Sequence, residues 1–170
     1  MTHFAATEPF DSKRHHVVKF NSGQPALDAW LQLYAGQSQR RDAARTFVTT
    51  ADDGAVLGFY TLVAAQVEHS SATAAVRRGL SKHFPIPVAL LARLAVNGPH
   101  QGVGLGRSLL LEALRRVARA SDELAVRAVT VDALDERAVA FYRRFGFQPS
   151  ALDPETLMVS LDVVRQIVGR

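Results

Sequence analysis

The sequence predicts a mixed α/β sheet with helices on both of its faces, in a chain of 170 residues. Apolar residues recur at helical spacing in several segments, and short apolar runs rich in β-branched residues lie between them. Glycine and proline mark most of the boundaries. Helices that alternate with strands along a chain are typical of an α/β sheet. We see no internal repeat, low-complexity tract or linker, and therefore expect one domain over residues 1–170.

The first half of the chain is predicted to form a helix, a strand hairpin and a short second helix. Leu27, Trp30, Leu31 and Tyr34 recur at helical spacing, with a proline near the first turn. The turn Asp52-Asp53-Gly54 joins two apolar runs, as in a hairpin. The predicted elements are a helix from Pro25 to about Asp42, strands Thr46–Thr50 and Val56 to about Glu68, and a helix over Thr73–Leu80.

The second half alternates strands with helices. Val88–Val96 is mostly apolar, as expected for a central strand that is covered on both faces. Asp135 is a candidate N-cap and Gly146 a natural C-terminal stop for the last predicted helix. The predicted elements are strand Val88–Val96, a helix from Gly104 to about Ala120, strand Ala128–Ala133, helix Asp135–Phe145 and strand Leu157–Leu161.

Composition and charge narrow the function classes. The chain has no cysteine, which excludes disulfides, thiolate catalysis and cysteine metal sites, and His15-His16 are too isolated to indicate a metal. No apolar run is long enough to span a bilayer and no N-terminal signal is visible, so we expect a cytoplasmic protein without a membrane partner. The net charge of +4 comes mainly from arginine, which fits either a compositional bias or a polyanionic partner.

The segment Gln101-Gly102-Val103-Gly104-Leu105-Gly106, here called the glycine loop, joins a buried strand to an amphipathic helix. The start of a helix leaves backbone N–H groups without partners, and glycines let the backbone approach a ligand closely. The loop is therefore a candidate pyrophosphate site. The glycines have the wrong spacing for a dinucleotide fingerprint, and the lysine of an ATP-binding P-loop is missing.

The glycine loop after an apolar strand resembles the coenzyme A loop of the GCN5-related N-acetyltransferases, the GNAT family. This resemblance implies the GNAT fold. Further motifs, in order from about residue 15 to residue 161, are similar to the toxins of type II toxin–antitoxin systems within that family. They are Phe20-Asn21-Ser22-Gly23 with Leu27-Asp28-Ala29-Trp30-Leu31, Arg45-Thr46-Phe47-Val48, Gly58-Phe59-Tyr60-Thr61-Leu62, Ala92-Arg93-Leu94-Ala95-Val96, Val131-Asp132-Ala133-Leu134, and Phe141-Tyr142 through Gly146-Phe147.

The resemblance implies transfer of an acetyl group from acetyl-CoA to the α-amine of aminoacyl-tRNA, which blocks translation. It also implies a ribbon-helix-helix antitoxin as partner and a homodimer. The family commonly has Asp or Lys where this chain has Asn97, a departure that does not affect the expected chemistry. The coenzyme-binding residues expected on this basis are Leu94, Ala95, Val96, Gln101, Gly102, Val103, Gly104, Leu105, Gly106, Arg107, Ser108, Asp132, Phe141 and Tyr142.

Tyr142 is the candidate general acid, because a phenol with an unperturbed pKa of about 10 matches a thiolate leaving group. Spacing alone favours a core aromatic beside Phe141 and Phe145, whereas the resemblance implies a tyrosine that faces the coenzyme sulfur. Asp132 ends a predicted strand, where it either contacts a ligand or caps the next helix. Glu68 and His100 are weaker candidates for a base, and an α-amine with a pKa of about 7.7–8.0 does not demand one.

Arginines are the candidate tRNA contacts. Arg93 interrupts an apolar strand, so its charge must be paired or must point at a ligand. Phosphate contacts of this kind supply affinity with little sequence information. The expected set is Arg40, Arg41, Arg45, Arg77, Arg78 and Arg93.

Two other functions stay open from the sequence. One is a GNAT enzyme that acetylates a small-molecule amine or a protein N-terminus. The other is a non-catalytic module that binds coenzyme A without turnover. A broad basic groove argues for tRNA, whereas a deep acidic pocket argues for a polyamine. Removal of the Tyr142 hydroxyl separates a catalyst from a binding module.

Overall fold

The computed structural model describes residues 3–169. The strands are β1 (Glu8–Pro9), β2 (Arg45–Thr50), β3 (Val56–Val67), β4 (Ile86–Val96), β5 (Ala128–Asp132), β6 (Gln148–Pro149) and β7 (Thr156–Ser160). The α-helices are α1 (Pro25–Ala29), α2 (Ala35–Arg40), α3 (Ala74–Arg77), α4 (Leu105–Ala120), α5 (Glu136–Arg143) and α6 (Leu161–Val168). A π-helical turn, Trp30–Tyr34, joins α1 to α2, and 3₁₀ turns occur at His69–Ser71 and Gly98–His100.

The strands form a mixed sheet in the order β1-β2-β3-β4-β5-β7-β6, which confirms the predicted class. β4 and β5 are parallel, in a register that runs from Val88 opposite Ala128 to Leu90 opposite Thr130. β2 and β3 are antiparallel, as the predicted hairpin requires. β5 and β7 are also antiparallel, from Ala128 opposite Ser160 to Asp132 opposite Thr156.

The structure contains elements that were not predicted from the sequence. β1 and β6 have two residues each, which is too short for any periodicity to show. α6 follows β7 directly, with the Ser160 side chain as N-cap and Gly169 as a left-handed C-cap. The predicted helix over Thr73–Leu80 is only α3, which begins after an N-cap at Thr73. Asp135 is confirmed as an N-cap, since its carboxylate accepts a hydrogen bond from the Ala138 N–H at 2.8 Å.

The chain divides into two compact units. The first contains the described residues up to Val63 together with Ala92–Ala113, and the second contains Ala64–Leu91 with the described residues from Leu114 onward. The single domain expected over residues 1–170 stays a prediction. In the part of the chain described, no helix is long and apolar enough to cross a membrane.

In the first unit, helices cover both faces of the sheet. Phe59 of β3 packs in a buried cluster with residues from the α1–α2 segment. The next residue, Tyr60, points the other way because side chains alternate along a strand, and its hydroxyl donates to the buried Glu112 carboxylate of α4. The buried members of the cluster around Phe59 are Phe10, Phe20, Leu31, Ala35, Val48, Val56 and Ala95.

The second unit has its own core between α3 and the sheet. Its buried members come from α3 and the residues before it, from β4 and β5, and from β7. They are Ala72, Val76, Ile86, Val88, Ala128 and Met158.

Candidate functional site

The glycine loop leads directly into α4, the longest helix. Gly102 and Gly104 have φ angles of +78° and +88°, in the left-handed region that favours glycine. A Cβ atom added at either position would meet no protein atom within 4 Å. Residues Gln101 to Gly104 are exposed, and Arg107 is exposed in the first turn of α4. The start of a long helix therefore faces open space, with room for a ligand against its backbone.

Gln101 fixes the loop to two other segments. Its Nε2 amide donates to the carbonyl of Val96, the last residue of β4, at 2.8 Å. The same amide donates to the carbonyl of Ser22 at 2.8 Å. The side chain expected to bind coenzyme is thus also a clamp between the strand end and the N-terminal segment. This second role is not apparent from the sequence, because Ser22 and Gln101 are 79 positions apart.

Asn97 and Asn21 form a second connection between the same segments. The Asn21 N–H donates to the Asn97 side-chain oxygen at 2.9 Å, and the Gly98 N–H donates to the Asn21 carbonyl at 2.8 Å. Ser22 is held in turn by Asp28, because its hydroxyl donates to that carboxylate at 2.6 Å. The motif around Asn21 therefore helps to fix the segment that leads into the glycine loop, a role that the sequence analysis did not predict.

We expect Gln101→Leu to lower the free energy of unfolding by about 1–2 kcal/mol, because two hydrogen bonds of ordinary strength are lost. Coenzyme A affinity should fall as well, since the loop loses its anchor. Gln32→Leu is a matched control: its amide also donates to two carbonyls, those of Val17 and Phe20, at 3.0 and 3.2 Å. Thermal unfolding should show similar losses of stability in the two variants. Calorimetric titration with coenzyme A should show a loss of affinity in Gln101→Leu alone.

The end of β4 lies in the first unit with the glycine loop. Leu94 is partly buried, and Ala95 and Val96 are buried. The pairing of β4 with β5 ends at Leu90, so all three residues follow the paired part of the strand. The carbonyl of Leu57 accepts from the Asn97 N–H at 2.8 Å, which fixes the strand where the loop begins.

Tyr142 belongs to the second unit. It lies in the last part of α5 and is 8% exposed. Its ring packs against Phe147 and Phe141, with centroids 5.4 and 5.1 Å away. Burial raises the pKa of Tyr142, because the charged phenolate loses its hydration. Its hydroxyl makes no hydrogen bond to any other residue in 3–169.

The other expected residues of the second unit lie near the ends of β5 and α5. Asp132 is exposed at the end of β5, and its carboxylate accepts from the Thr156 hydroxyl at 2.9 Å. It does not cap α5, because that role belongs to Asp135. Phe141 is partly buried, and the Arg144 guanidinium carbon lies 6.0 Å from its ring centre.

The two weaker candidates for a base have different surroundings. Glu68 is exposed in the second unit, just before the 3₁₀ turn at His69–Ser71. His100 belongs to the first unit, next to the glycine loop, and its Nδ1 atom is buried without a hydrogen-bond partner among the described residues. In the part of the chain described, neither side chain has a polar partner that could orient a catalytic base.

Three of the expected arginines lie at the end of α2 and the start of β2. Arg40 and Arg41 are exposed. The Arg45 guanidinium is already engaged, at 2.7 Å from the Asp42 carboxylate and 3.0 Å from the Gln39 carbonyl. This group lies in the first unit.

Arg77 and Arg78 lie in the second unit, at and after the end of α3. Arg78 is exposed and Arg77 partly exposed. The Arg127 guanidinium braces this end by donating to the carbonyls of Val76 and Arg78, each at 2.8 Å. The expected tRNA contacts are therefore divided between the units.

Within residues 3–169 there is no group of three or more His, Cys, Asp or Glu side chains that could hold a metal. His15 is used structurally. Its Nδ1 accepts from the Asp11 N–H at 2.9 Å, and its Nε2 lies 2.6 Å from the Glu8 carboxylate.

A family model and a relative of known name each match most of the chain. Residues 10–147 match the family model described as "Acetyltransferase (GNAT) family". The tRNA-acetylating toxin of Mycobacterium tuberculosis is 42% identical over 153 residues, which are 90% of each chain.

Two solved structures share the fold. The crystal structure of AtaTR bound with AcCoA matches with a TM-score of 0.80 and 26% identity, over 95% of this chain and 96% of that one. The structure of AtaT complexed with acetyl-methionyl-tRNAfMet matches with a TM-score of 0.86 and 24% identity, over 95% of this chain and 98% of that one.

Proposed function

Because this chain belongs to the GNAT acetyltransferase family, we propose that it is a toxin that acetylates the α-amine of aminoacyl-tRNA and so blocks translation. As a family member it is an acyltransferase that uses acetyl-CoA. The observation that carries the substrate assignment is the 42% identity to a tRNA-acetylating toxin along 90% of both chains.

The first unit supplies the residues for coenzyme binding. Gly102 and Gly104 leave open space before α4, which suits a pyrophosphate, and Arg107 and Ser108 add donors in the first turn. Leu94, Ala95 and Val96 follow the part of β4 that pairs with β5, and their backbone is not paired with that strand. This supports pairing of their backbone with an extended pantetheine arm. Val103, Leu105 and Gly106 complete the loop, and Gln101 holds it in place. Acetyl-CoA supplies the acetyl thioester when bound.

Tyr142 is proposed to give its proton to the thiolate that departs when the amine nitrogen bonds to the thioester carbon and the C–S bond breaks. The proton that the nitrogen then loses restores the phenol. Burial raises its pKa, so the phenol stays protonated through neutral and mildly alkaline pH. Its hydroxyl has no partner in the described chain with which to share that proton. Phe141 packs against Tyr142 and helps to fix the ring. A backbone N–H of Leu94–Val96 is proposed to hold the carbonyl oxygen.

The pH dependence follows from these assignments. We expect kcat/KM to rise as the substrate amine loses its proton, with an apparent pKa no higher than about 8. We expect no fall up to about pH 10, because the raised pKa of Tyr142 keeps the acid protonated there. Initial rates with an amide-linked aminoacyl-tRNA, which resists alkaline hydrolysis, measure this profile. A descending limb near pH 9 that is absent with Tyr142→Phe would contradict a raised tyrosine pKa.

The arginines are proposed to bind the tRNA backbone. Arg40, Arg41, Arg77 and Arg78 present charge at the surface, and Arg45 is held in place by Asp42. The net charge of +4 also favours binding of an acidic antitoxin segment. We propose a ribbon-helix-helix antitoxin as the partner. We further propose a homodimer that acts in the cytoplasm, where charged tRNA is found.

The test is a reaction of the purified protein with labelled acetyl-CoA and a total pool of charged tRNA. Mass spectrometry of the amino acids released from the tRNA is the measurement. We expect N-acetylated amino acids that require the enzyme. If the label stays in acetyl-CoA although the protein binds the coenzyme, the tRNA assignment is wrong. Small amines and protein N-termini are then the acceptors to test.

A further inference from the structure

Arg93 is a half-buried cation that has no anionic partner among the described residues. It lies in β4, and its guanidinium carbon is 3.7 Å from the centre of the Trp30 ring. Burial lowers the pKa of Arg93, which reflects the hydration that the charge has lost. The group nonetheless stays charged, as arginine does in proteins. Within residues 3–169, no carboxylate or carbonyl accepts from its five N–H donors.

Trp30 has an unused donor of its own. Its indole Nε1 is buried and has no hydrogen-bond partner in the described chain. Trp30 begins the π-helical turn, and its ring stacks on Tyr34, with centroids 6.2 Å apart. Buried donors are nearly always paired in native structures, and π-helical turns occur frequently at functional sites.

Three other arginines of the chain are paired with acceptors of the protein itself. Arg14 lies 2.8 Å from the Glu8 carboxylate, and Arg45 lies 2.7 Å from Asp42. Arg127 donates to two carbonyls. Contact with the Trp30 ring occupies only the face of the Arg93 guanidinium and leaves the donors at its edge free. The pair of Arg93 and Trp30 is thus a site that has donors and lacks acceptors.

We propose that Arg93 and Trp30 bind the phosphodiester next to the aminoacylated 3′ end of the substrate, an inference that rests on the proposed function. Phosphate offers only acceptor oxygens, and a planar guanidinium held against a ring is oriented to bind two of them. Arg93 immediately precedes Leu94–Val96, at a strand rise of about 3.3 Å per residue, so the contact is close to the proposed acyl-transfer position. The pair would then discriminate against amines that carry no phosphate.

The experiment compares two acceptors, charged tRNA and the same amino acid esterified to adenosine without phosphate. For Arg93→Gln we expect kcat/KM on charged tRNA to fall about tenfold or more, mainly through KM, as for a lost charge-assisted hydrogen bond. On the phosphate-free ester we expect no change. Arg93→Lys keeps the charge without the planar donors. Its kcat/KM on charged tRNA should lie between that of the wild type and that of Arg93→Gln. Arg14→Gln is the matched control and should behave as wild type, because Glu8 already pairs that side chain.

Trp30→Phe keeps an aromatic ring beneath Arg93 and removes only the indole N–H. We expect a smaller fall in kcat/KM than for Arg93→Gln, again with charged tRNA and not with the phosphate-free ester. This variant also carries the test if Arg93→Gln fails to fold, as judged by its melting temperature and coenzyme affinity. Equal losses on both acceptors, or full activity of Arg93→Gln on charged tRNA, would overturn the proposal. If the wild type acetylates no charged tRNA, the proposed function fails first, and the Arg93 proposal fails with it.

Discussion

Tyr142→Phe is expected to lower the rate of acetyl transfer about 10²–10⁴-fold, the usual effect of losing a general acid. The substitution removes only the hydroxyl, which makes no hydrogen bond to the described residues, so the ring packing against Phe147 is kept. Stability and coenzyme A affinity should therefore stay close to wild type. Single-turnover rates with charged tRNA, together with calorimetric titration of coenzyme A, measure the two quantities separately.

Tyr34→Phe is the control for this experiment. Tyr34 is 53% exposed, and the loss of its hydroxyl should leave the rate unchanged. A Tyr142→Phe protein that binds coenzyme A and keeps the wild-type rate would exclude Tyr142 as the acid. If neither Tyr34→Phe nor Tyr142→Phe acetylates any acceptor while both bind coenzyme A, the chain is a binding module.

Gly102→Ala is expected to weaken coenzyme A binding about tenfold or more, which corresponds to about 1.4 kcal/mol. The new methyl group meets no protein atom within 4 Å, so the only group it can obstruct is a ligand on the glycine loop. The left-handed backbone adds a strain of roughly 1–2 kcal/mol, which lowers the melting temperature. Titration calorimetry and thermal unfolding measure the two effects.

Gly79→Ala separates backbone strain from obstruction. Gly79 has a φ of +76°, close to the +78° of Gly102, and a Cβ there also meets nothing within 4 Å. The two variants should lose similar stability, and only Gly102→Ala should lose affinity. Equal affinities in both variants would mean that the coenzyme does not approach the loop backbone at this point.

Much of the fold could be predicted because its longest elements have strong periodic patterns. β4 was visible as an apolar run and α4 as an amphipathic helix, and the structure differs from these predictions by one or two residues at their ends. The predicted helix from Pro25 was continuous in the sequence reading. The structure interrupts it with the π-helical turn Trp30–Tyr34, whose extra residue rotates the helix face. Ala35 is therefore buried where regular helical spacing predicts Tyr34, which is 53% exposed.

The left-handed glycines of the candidate site could be predicted from a local motif, whereas contacts between residues that are distant in the chain could not. Gly102 and Gly104 were recognisable because their backbone conformation demands glycine. The clamp from Gln101 to Ser22 was not, since nothing in either segment indicates which carbonyl a glutamine amide will find. Arg93 was identified as a charge that needs a partner, but only the structure reveals the Trp30 ring beneath it.

The bonds between the Asn21–Ser22 segment and the glycine loop also bear on how this chain folds. They join residues 76 and 79 positions apart, so the loop cannot be fixed until a long stretch of chain has closed on itself. Contacts between residues so far apart form late in folding, because closing a long loop costs conformational entropy before the contacts can stabilise it. During synthesis, residues 1–100 alone lack the glutamine that completes the clamp. A nascent chain should therefore gain affinity for coenzyme A only after most of it has left the ribosome.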